Sequence, residues 1–433
     1  MSDMKAALDA ARTRLVNGGN TAPTLNPTPD SSSRYSAPIA TAQSSGLPII
    51  DISPFMDSSS SPAARKETAE AINAACINYG FFYLTGHGIP ISDLDEIISL
   101  ARRFFTLPLE EKNKIKRFDA GGPEGGDGAR GYQGLGENVT GGLQDMQEAI
   151  DWYAPWPASK KEAGDGGPGS VKTLQGENLW PEEPREMKDV YLKYIERVKE
   201  VGKAVVHAMG VALELGPVGQ REDGEDEEVF VRACQDSFWV MRTICYPPLP
   251  ASVSQSNSKS STSTTASKAP QQAQDQDQEQ QSPNAAETNA EEDNPSTFSC
   301  GAHTDYGCIT LLLTDPTPQS LQVLLKNSTW LPADPLPGAF VVNIGDMIER
   351  WTNGLWKSTL HRVIHRGDGN GCGGNRISVP FFFEPGFESV VRPLRGCVGR
   401  MGGGRRVEGD GTYGEHLLTK VFSNFYFSKR TEW

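Results

Sequence analysis

The sequence HTDYGCITLLLTD, residues 303–315, joins two potential metal ligands to a strongly apolar segment. His303 and Asp305 are two positions apart, so in an extended chain both side chains project from the same face. The residues ITLLLT that follow are β-branched or apolar, which is typical of a buried strand. A histidine two residues from an aspartate also occurs by chance in ordinary turns. The pair therefore predicts a metal site only together with a ligand from elsewhere in the chain.

A candidate third ligand lies in the segment STLHRVIHR, residues 358–366. With His361, two imidazoles and one carboxylate would cover one face of an octahedral metal and leave three positions open. Iron(II) suits this mixed nitrogen and oxygen set, whereas a structural zinc site is closed by four ligands. His365 is a competing ligand on the same strand face, about 13 Å further along at roughly 3.3 Å per residue. The alternative interpretation is a turn at His303 and an ordinary strand at His361.

The distribution of strand and helix signals predicts the fold class. Residues 47–232 combine short strand-like segments with three helical patterns, the second with Ser92 as N-cap and the third ending before Gly216. From residue 233 onward, short β-branched and aromatic segments alternate with turn residues. These segments are SFWVMRTICY, GCITLLLTD, SLQVLLK, AFVVNIGD, STLHRVIHR and RISVPFFFEP. We expect an α+β protein with a mainly β core, a double-stranded β-helix (jelly roll) flanked by N-terminal helices.

Composition narrows the classes of partner and location. Asp and Glu (55) outnumber Lys and Arg (41), and the net charge of −14 disfavours binding to nucleic acid or to an anionic membrane. No segment has the apolar length of a transmembrane helix. The seven cysteines contain no CxxC pair, which argues against a disulfide framework and favours a reducing, cytoplasmic location. Residues 1–46 and 251–297 are polar, so we expect a disordered tail and a disordered insertion that interrupts the core at 233–433.

Ordered motifs between about Leu47 and Val391 resemble those of a known family, the non-haem iron, 2-oxoglutarate-dependent dioxygenases of the isopenicillin N synthase type. The motifs are PIIDIS, YGFFYLTGHGIP (79–90), FFTLPLEEKNKIK (104–116), CYPPLP (245–250), HTDYGCITLLLTD, LQV (321–323), VVNIGDMIERWTNG (341–354), KSTLHRV (357–363) and RISVPFFFEP (376–385). The resemblance implies His303, Asp305 and His361 as ligands of Fe(II). It also implies that Arg376 and Ser378 hold the distal carboxylate of 2-oxoglutarate.

Residue chemistry agrees with the second implication. Arg376 and Ser378 are two positions apart on a strand, so a forked guanidinium and a hydroxyl can face the same anion. Tyr246 resembles the family tyrosine that reaches into the pocket; the alternative is a core tyrosine. Arg242 lies on the same strand face and either contacts a substrate carboxylate or forms a structural ion pair. The spacing from His361 to Arg376 is longer than usual in the family, with the glycine-rich residues 367–375 between them.

The resemblance implies an enzyme that uses Fe(II), 2-oxoglutarate and O2. It would hydroxylate, desaturate or cyclise a small-molecule substrate, with release of succinate and CO2. We expect a monomer that binds this small-molecule substrate and does not bind nucleic acid or membranes. The alternatives are a 2-oxoglutarate-independent iron oxidase of the same family, a non-catalytic jelly-roll binding protein, and an interaction protein that works through residues 251–297.

Overall fold

The computed structural model describes residues 46–120, 122–140, 143–155, 174–219, 225–249, 299–365, 374–401 and 411–426. The predicted tail, apart from its last residue, and the predicted insertion at 251–297 lie outside these ranges. In the part of the chain that is described, no helix has the length and apolar character needed to cross a membrane.

An eight-stranded sheet, here called the major sheet, forms the larger wall of the fold. The strands of the protein are β1 (Ile49–Asp51), β2 (Phe81–Thr85), β3 (Gly131–Gln133), β4 (Val139–Thr140), β5 (Leu143–Gln144), β6 (Glu148–Tyr153), β7 (Val240–Tyr246), β8 (Cys300–His303), β9 (Ile309–Thr314), β10 (Leu321–Leu324), β11 (Trp330–Pro332), β12 (Phe340–Ile344), β13 (His361–Val363), β14 (Arg376–Phe383), β15 (Val390–Val391) and β16 (Gly411–Thr412). The order of the major sheet is β1-β2-β12-β9-β14-β7-β6-β3. All its pairings are antiparallel except β1 with β2.

A four-stranded sheet, the minor sheet, packs against one face of the major sheet in the order β11-β10-β13-β8. Buried apolar residues of both sheets form one cluster, which includes Phe81 and Tyr246 from the major sheet and Val323 and Val363 from the minor sheet. Two sheets with almost entirely antiparallel pairing, closed over a shared core, are the expected jelly roll. The prediction of the fold class is confirmed.

The described residues form the helices α1 (Ser53–Met56), α2 (Pro62–Asn78), α3 (Ile91–Phe105), α4 (Leu109–Asn113), α5 (Met187–Ala212), α6 (Val229–Ala233), α7 (Asp346–Trp351), α8 (Arg395–Val398) and α9 (Tyr413–Tyr426). The three longest helices, which are α2, α3 and α5, pack on the other face of the major sheet. Alternation along β2 separates the two cores: Phe82 and Leu84 pack with the helices, whereas Phe81 and Tyr83 face the minor sheet. Strands from residues 47–232 and from residues 233–433 therefore share one sheet.

Two local predictions were wrong, and one strand was missed. Helix α3 begins at Ile91 after Pro90, and no side chain caps it, so Ser92 is inside the first turn and is not the N-cap. Helix α5 ends at Ala212 with Leu213 at the C-cap, earlier than Gly216 implied. Strand β6 was missed, because all six of its residues are buried and the alternation that marks a half-exposed strand is absent.

Candidate metal centre and cosubstrate pocket

Three candidate ligands converge in the space between the two sheets. His303, the last residue of β8, lies directly opposite His361, the first residue of β13, in their antiparallel pairing. Asp305 Oδ1 is 4.0 Å from His303 Nε2 and 3.8 Å from His361 Nε2. One potential ligand atom from each of the three side chains lies within 4.8 Å of the other two. The structure thus brings together the three residues that the sequence singled out, and we call them the metal cluster.

Backbone carbonyls orient the two imidazoles of the metal cluster. Nδ1–H of His303 donates to the carbonyl oxygen of Gly301 at 2.8 Å, and Nδ1–H of His361 donates to that of Thr359 at 3.1 Å. Because Nδ1–H is bound to a backbone carbonyl in both rings, Nε2 is the nitrogen that lies on the side of Asp305. Burial lowers the pKa of His361 to about 4, and the adjacent His303 contributes in the same direction. The His361 ring is therefore neutral at physiological pH and able to accept a cation.

Hydrogen bonds from two strands orient the carboxylate of Asp305. Its Oδ2 accepts from Asn343 Nδ2 at 2.7 Å and from the hydroxyl of Thr310. Asn343 and Thr310 are register partners across β12 and β9. Burial acts to raise the pKa of Asp305, but the two histidines and these two hydrogen bonds hold it below its usual value. With Oδ2 held in this way, Oδ1 is the oxygen presented to the imidazoles.

His365 and His87 are not in the metal cluster. Strand β13 ends at Val363, and Nε2–H of His365 donates to the carbonyl oxygen of Gly374 at 2.8 Å. His87 donates from Nε2 to the carbonyl oxygen of Gly338 and accepts at Nδ1 from Ile89 N–H, so both of its ring nitrogens bind backbone groups. Within the described ranges, His303, Asp305 and His361 form the only group of three or more potential ligands.

Arg376 is a buried cation on the cavity side of β14. The residue is 2% exposed, and its Nε and Nη1 have no hydrogen-bond partner in the described part of the chain. Tyr246 lies directly opposite it on β7, with Arg376 Cζ 5.2 Å from the centre of the tyrosine ring. Ser378, two residues further on, lines the same cavity. Because unpaired buried N–H groups are costly, this arrangement indicates a position for an anion.

A cavity of about 320 Å³ connects the metal cluster with Arg376. Its wall on β14 is formed by alternate residues, and its wall on β7 likewise. The lining residues of these two strands and the position after β14 are Val240, Arg242, Ile244, Tyr246, Arg376, Ser378, Pro380, Phe382 and Glu384. Small-molecule sites typically have volumes of roughly 300–1,000 Å³, so the cavity has the size of a small-molecule site.

Arg242 forms the structural ion pair that the sequence analysis considered. Its Nε is 3.2 Å from Asp151 Oδ1, and Asp151 is its register partner on β6. Its Nη2 donates to the amide oxygens of Asn138 and Gln133 at 3.3 Å and 3.4 Å. The Arg242 side chain nevertheless lines the cavity. The Arg242 side chain can therefore contact a substrate in the cavity while it is paired with Asp151.

Glu384 is a cavity residue that the sequence analysis did not select. It is 3% exposed, and it follows β14 within the motif RISVPFFFEP. The two-residue period that places Arg376 and Ser378 on the cavity side extends to Pro380, Phe382 and Glu384. This period was available in the sequence and would have identified Glu384.

Comparison with known proteins agrees with this geometry. Residues 47–183 match the family described as non-haem dioxygenase in morphine synthesis, N-terminal, and residues 280–385 match the 2OG-Fe(II) oxygenase superfamily. Two relatives named homoarginine-6-hydroxylase cover 88% of this chain: a Glycine max protein, 37% identical over 98% of its own length, and an Arabidopsis thaliana protein, 36% identical over 97%.

Solved structures support the fold. A Caulobacter crescentus protein described as belonging to the 2OG-Fe(II) oxygenase family has a TM-score of 0.63 and 24% identity, covering 88% of this chain and 99% of its own. The dioxygenase for auxin oxidation in rice has a TM-score of 0.56 and 20% identity, covering 87% of this chain and 95% of its own. These similarities concern the fold alone, whereas the similarity to the curated relatives is high enough to show the family. The chain therefore belongs to the Fe(II)- and 2-oxoglutarate-dependent dioxygenases, enzymes that use iron(II), 2-oxoglutarate and O2 to oxidise small molecules.

Proposed function

We propose that His303, Asp305 and His361 bind the iron(II) of this enzyme. The observation that carries the proposal is the convergence of two imidazole Nε2 atoms and one carboxylate oxygen from the ends of β8 and β13 and the turn after β8. Two nitrogens and one oxygen fit iron(II), which accepts mixed ligands and needs open positions for chemistry. The hydrogen bonds at both Nδ1 atoms and at Asp305 Oδ2 support a set of ligands that is already oriented.

Arg376, Ser378 and Tyr246 form the proposed 2-oxoglutarate site. The two unpaired N–H groups of Arg376 fit a carboxylate, which a guanidinium binds through parallel hydrogen bonds. When bound, iron(II) and 2-oxoglutarate would allow O2 to oxidise a C–H bond of the substrate, with release of succinate and CO2. In this scheme Arg376 anchors the far end of the cosubstrate.

Anaerobic titration with iron(II) and 2-oxoglutarate tests these assignments. The chelate should give a weak visible charge-transfer band with the unaltered protein, and His303→Ala should abolish it. Measurement of succinate formed per O2 consumed separates this reaction from a 2-oxoglutarate-independent oxidase. A normal band in His303→Ala would refute the ligand assignment, and absence of iron-dependent O2 uptake with every substrate tried would favour a non-catalytic binding protein.

As the substrate we propose a free amino acid with a guanidinium side chain, of the homoarginine type. This chain aligns with nearly the whole length of the relatives named homoarginine-6-hydroxylase. The cavity wall also carries both signs of charge, with Arg242 on β7 and Glu384 after β14. A zwitterion with a second cationic group requires both signs, because each buried charge needs a partner.

Turnover of homoarginine is the corresponding test. Incubation with iron(II), 2-oxoglutarate and O2 should yield a product that contains one additional oxygen atom by mass spectrometry, with one succinate per product. A charge-transfer band without any product from guanidinium amino acids would contradict the substrate and leave the metal and cosubstrate assignments standing.

We also propose a cytoplasmic monomer that binds neither nucleic acid nor membranes. The net charge of −14 and the six described cysteines, all free and buried, support this proposal. Residues 47–232 would support a core at 233–433, interrupted by the insertion at 251–297. Light scattering should give about the chain mass of 47.0 kDa. Deletion of 251–297 should leave iron binding and turnover intact, and loss of both would favour the interaction protein.

A further inference from the structure

Glu384 places a buried carboxyl group in the cavity. Backbone N–H of Cys308 donates to its Oε2 at 2.7 Å. Gly307 makes room for the carboxyl, since a Cβ at that position would overlap both of its oxygens. Burial raises the pKa of Glu384 to about 8, with a smaller contribution from the nearby carboxylates of Asp305 and Asp346. The local backbone thus accommodates a carboxyl group at a position where ionisation is unfavourable.

Nothing in the described part of the chain supplies the opposite charge. No Lys, Arg or His there lies within ion-pair distance of Glu384, and its Oε1 has no hydrogen-bond donor among those residues. The other carboxylates of the cavity wall are engaged: Asp305 by Asn343 and the metal cluster, and Asp151 by Arg242 and Gln133. Glu384 is therefore the carboxyl group of the wall that remains available to a cationic ligand.

Glu384 also lies close to the metal cluster. Its partner Cys308 follows Asp305 by three residues, and Thr310, which donates to Asp305, is the register partner of Phe382 on β14.

The pairing of β7 with β14 brings Ile244 opposite Ser378 and Met241 opposite Phe381, so Arg242 lies opposite Pro380. Along the strand, Pro380 and Glu384 are about 13 Å apart at roughly 3.3 Å per residue.

We propose that Glu384 binds the cationic end of the substrate and thereby determines which carbon atom faces the metal cluster. The inference rests on the proposed function. In homoarginine, carbon 6 carries the guanidino nitrogen, so oxidation at that carbon requires the cationic group to lie beside the metal. A carboxylate held after β14 by the backbone N–H of Cys308, on the turn that follows Asp305, meets this requirement. Arg242, further along the wall, is then in position to contact the substrate carboxylate at the other end.

Two substrates that differ only in charge provide the test. Homoarginine and homocitrulline have the same carbon chain, but a neutral urea group replaces the guanidinium in homocitrulline. In Glu384→Gln, we expect kcat/KM for homoarginine to fall at least about 30-fold, as for loss of one partner of a buried charge pair. The activity ratio of homocitrulline to homoarginine should rise correspondingly. The KM for 2-oxoglutarate and the charge-transfer band should not change.

Two further variants serve as controls. Glu384→Asp keeps the charge and should retain the preference for homoarginine even if its overall rate falls, which separates a charge effect from damage to the fold. Glu200→Gln alters an exposed carboxylate paired with Lys203 on α5 and should behave as the unaltered protein. An unchanged preference in Glu384→Gln, with an active unaltered enzyme, would overturn this inference alone. Failure of the unaltered enzyme to bind or oxidise any guanidinium amino acid would overturn it together with the proposed substrate.

Discussion

The two ends of strand β14 present a basic and an acidic side chain to the same cavity. Arg376 begins the strand and Glu384 follows its last residue; both are buried, and neither forms an ion pair with a described residue. A buried charge without a counter-ion lowers stability unless a ligand supplies one. The comparison supports the two ligands that we propose: a dicarboxylate at the Arg376 end, and a cationic substrate at the Glu384 end beside the metal cluster.

Loss of the metal cluster should abolish the function of both ends, and this is the largest effect that we predict. Asp305→Ala removes the carboxylate that faces both imidazoles, so iron should be lost and turnover should fall by at least about 1,000-fold. Iron content and succinate formation measure the result, with Glu200→Gln as the matched surface control. If Asp305→Ala retained stoichiometric iron, Asp305 would not be a required iron ligand, and the comparison of the two ends would have no metal site to refer to.

Arg376→Lys should affect one end only. Lysine keeps the charge but not the planar fork, so the 2-oxoglutarate concentration needed for half-maximal rate should rise about 100-fold. Iron affinity and the homoarginine to homocitrulline activity ratio should stay as in the unaltered enzyme. The measurement is succinate formation as a function of 2-oxoglutarate concentration, and an unaltered requirement would show that Arg376 does not bind the cosubstrate carboxylate.

Asn343→Ala should weaken the metal site between the two ends without removing a ligand. Loss of the hydrogen bond to Asp305 Oδ2 frees the carboxylate to rotate, and iron affinity should fall roughly 10-fold or more. Thr310→Val, which removes the second donor at nearly constant volume, is the matched partner and should act in the same direction. Iron titration that gives equal affinity in both variants and the unaltered protein would contradict the orienting role.

His365→Gln should have the smallest effect. The ring binds a backbone carbonyl at the end of β13 and is not part of the metal cluster, so iron affinity and turnover should be unaltered. Loss of one buried hydrogen bond should lower the free energy of unfolding by about 1 kcal/mol. Denaturant unfolding and iron titration measure the two quantities, and a marked loss of iron would return His365 to the list of ligands.

Local motifs predicted most of the candidate site. His303 and Asp305 share a face because a strand has a period of two residues, and the same rule pairs Arg376 with Ser378. His361 was separated from His365 by its motif, and the structure agrees, since β13 ends between them. The strands of the core carried β-branched and aromatic residues between turn residues, which was sufficient to predict a jelly roll.

Predictions that depended on helix ends and on fully buried strands were less accurate. Ser92 has the side chain of an N-cap, but Pro90 sets where α3 begins. Strand β6 has no exposed face, so its sequence lacks alternation, and its pairing with β7 is what places Asp151 opposite Arg242. Register between distant strands has no signature in a single segment.

The sequence by itself predicted the fold class from its strand and helix patterns, and its ordered motifs resembled a family that implies the cofactors and the residues that are candidates to bind them. Only the tertiary structure decided which strands meet. It placed His361 opposite His303, set Asn343 and Thr310 against Asp305, and left Glu384 buried without a cation among the described residues. The physical reason is that burial and pairing depend on contacts between residues far apart in the chain, and these contacts determine which charges a ligand must neutralise.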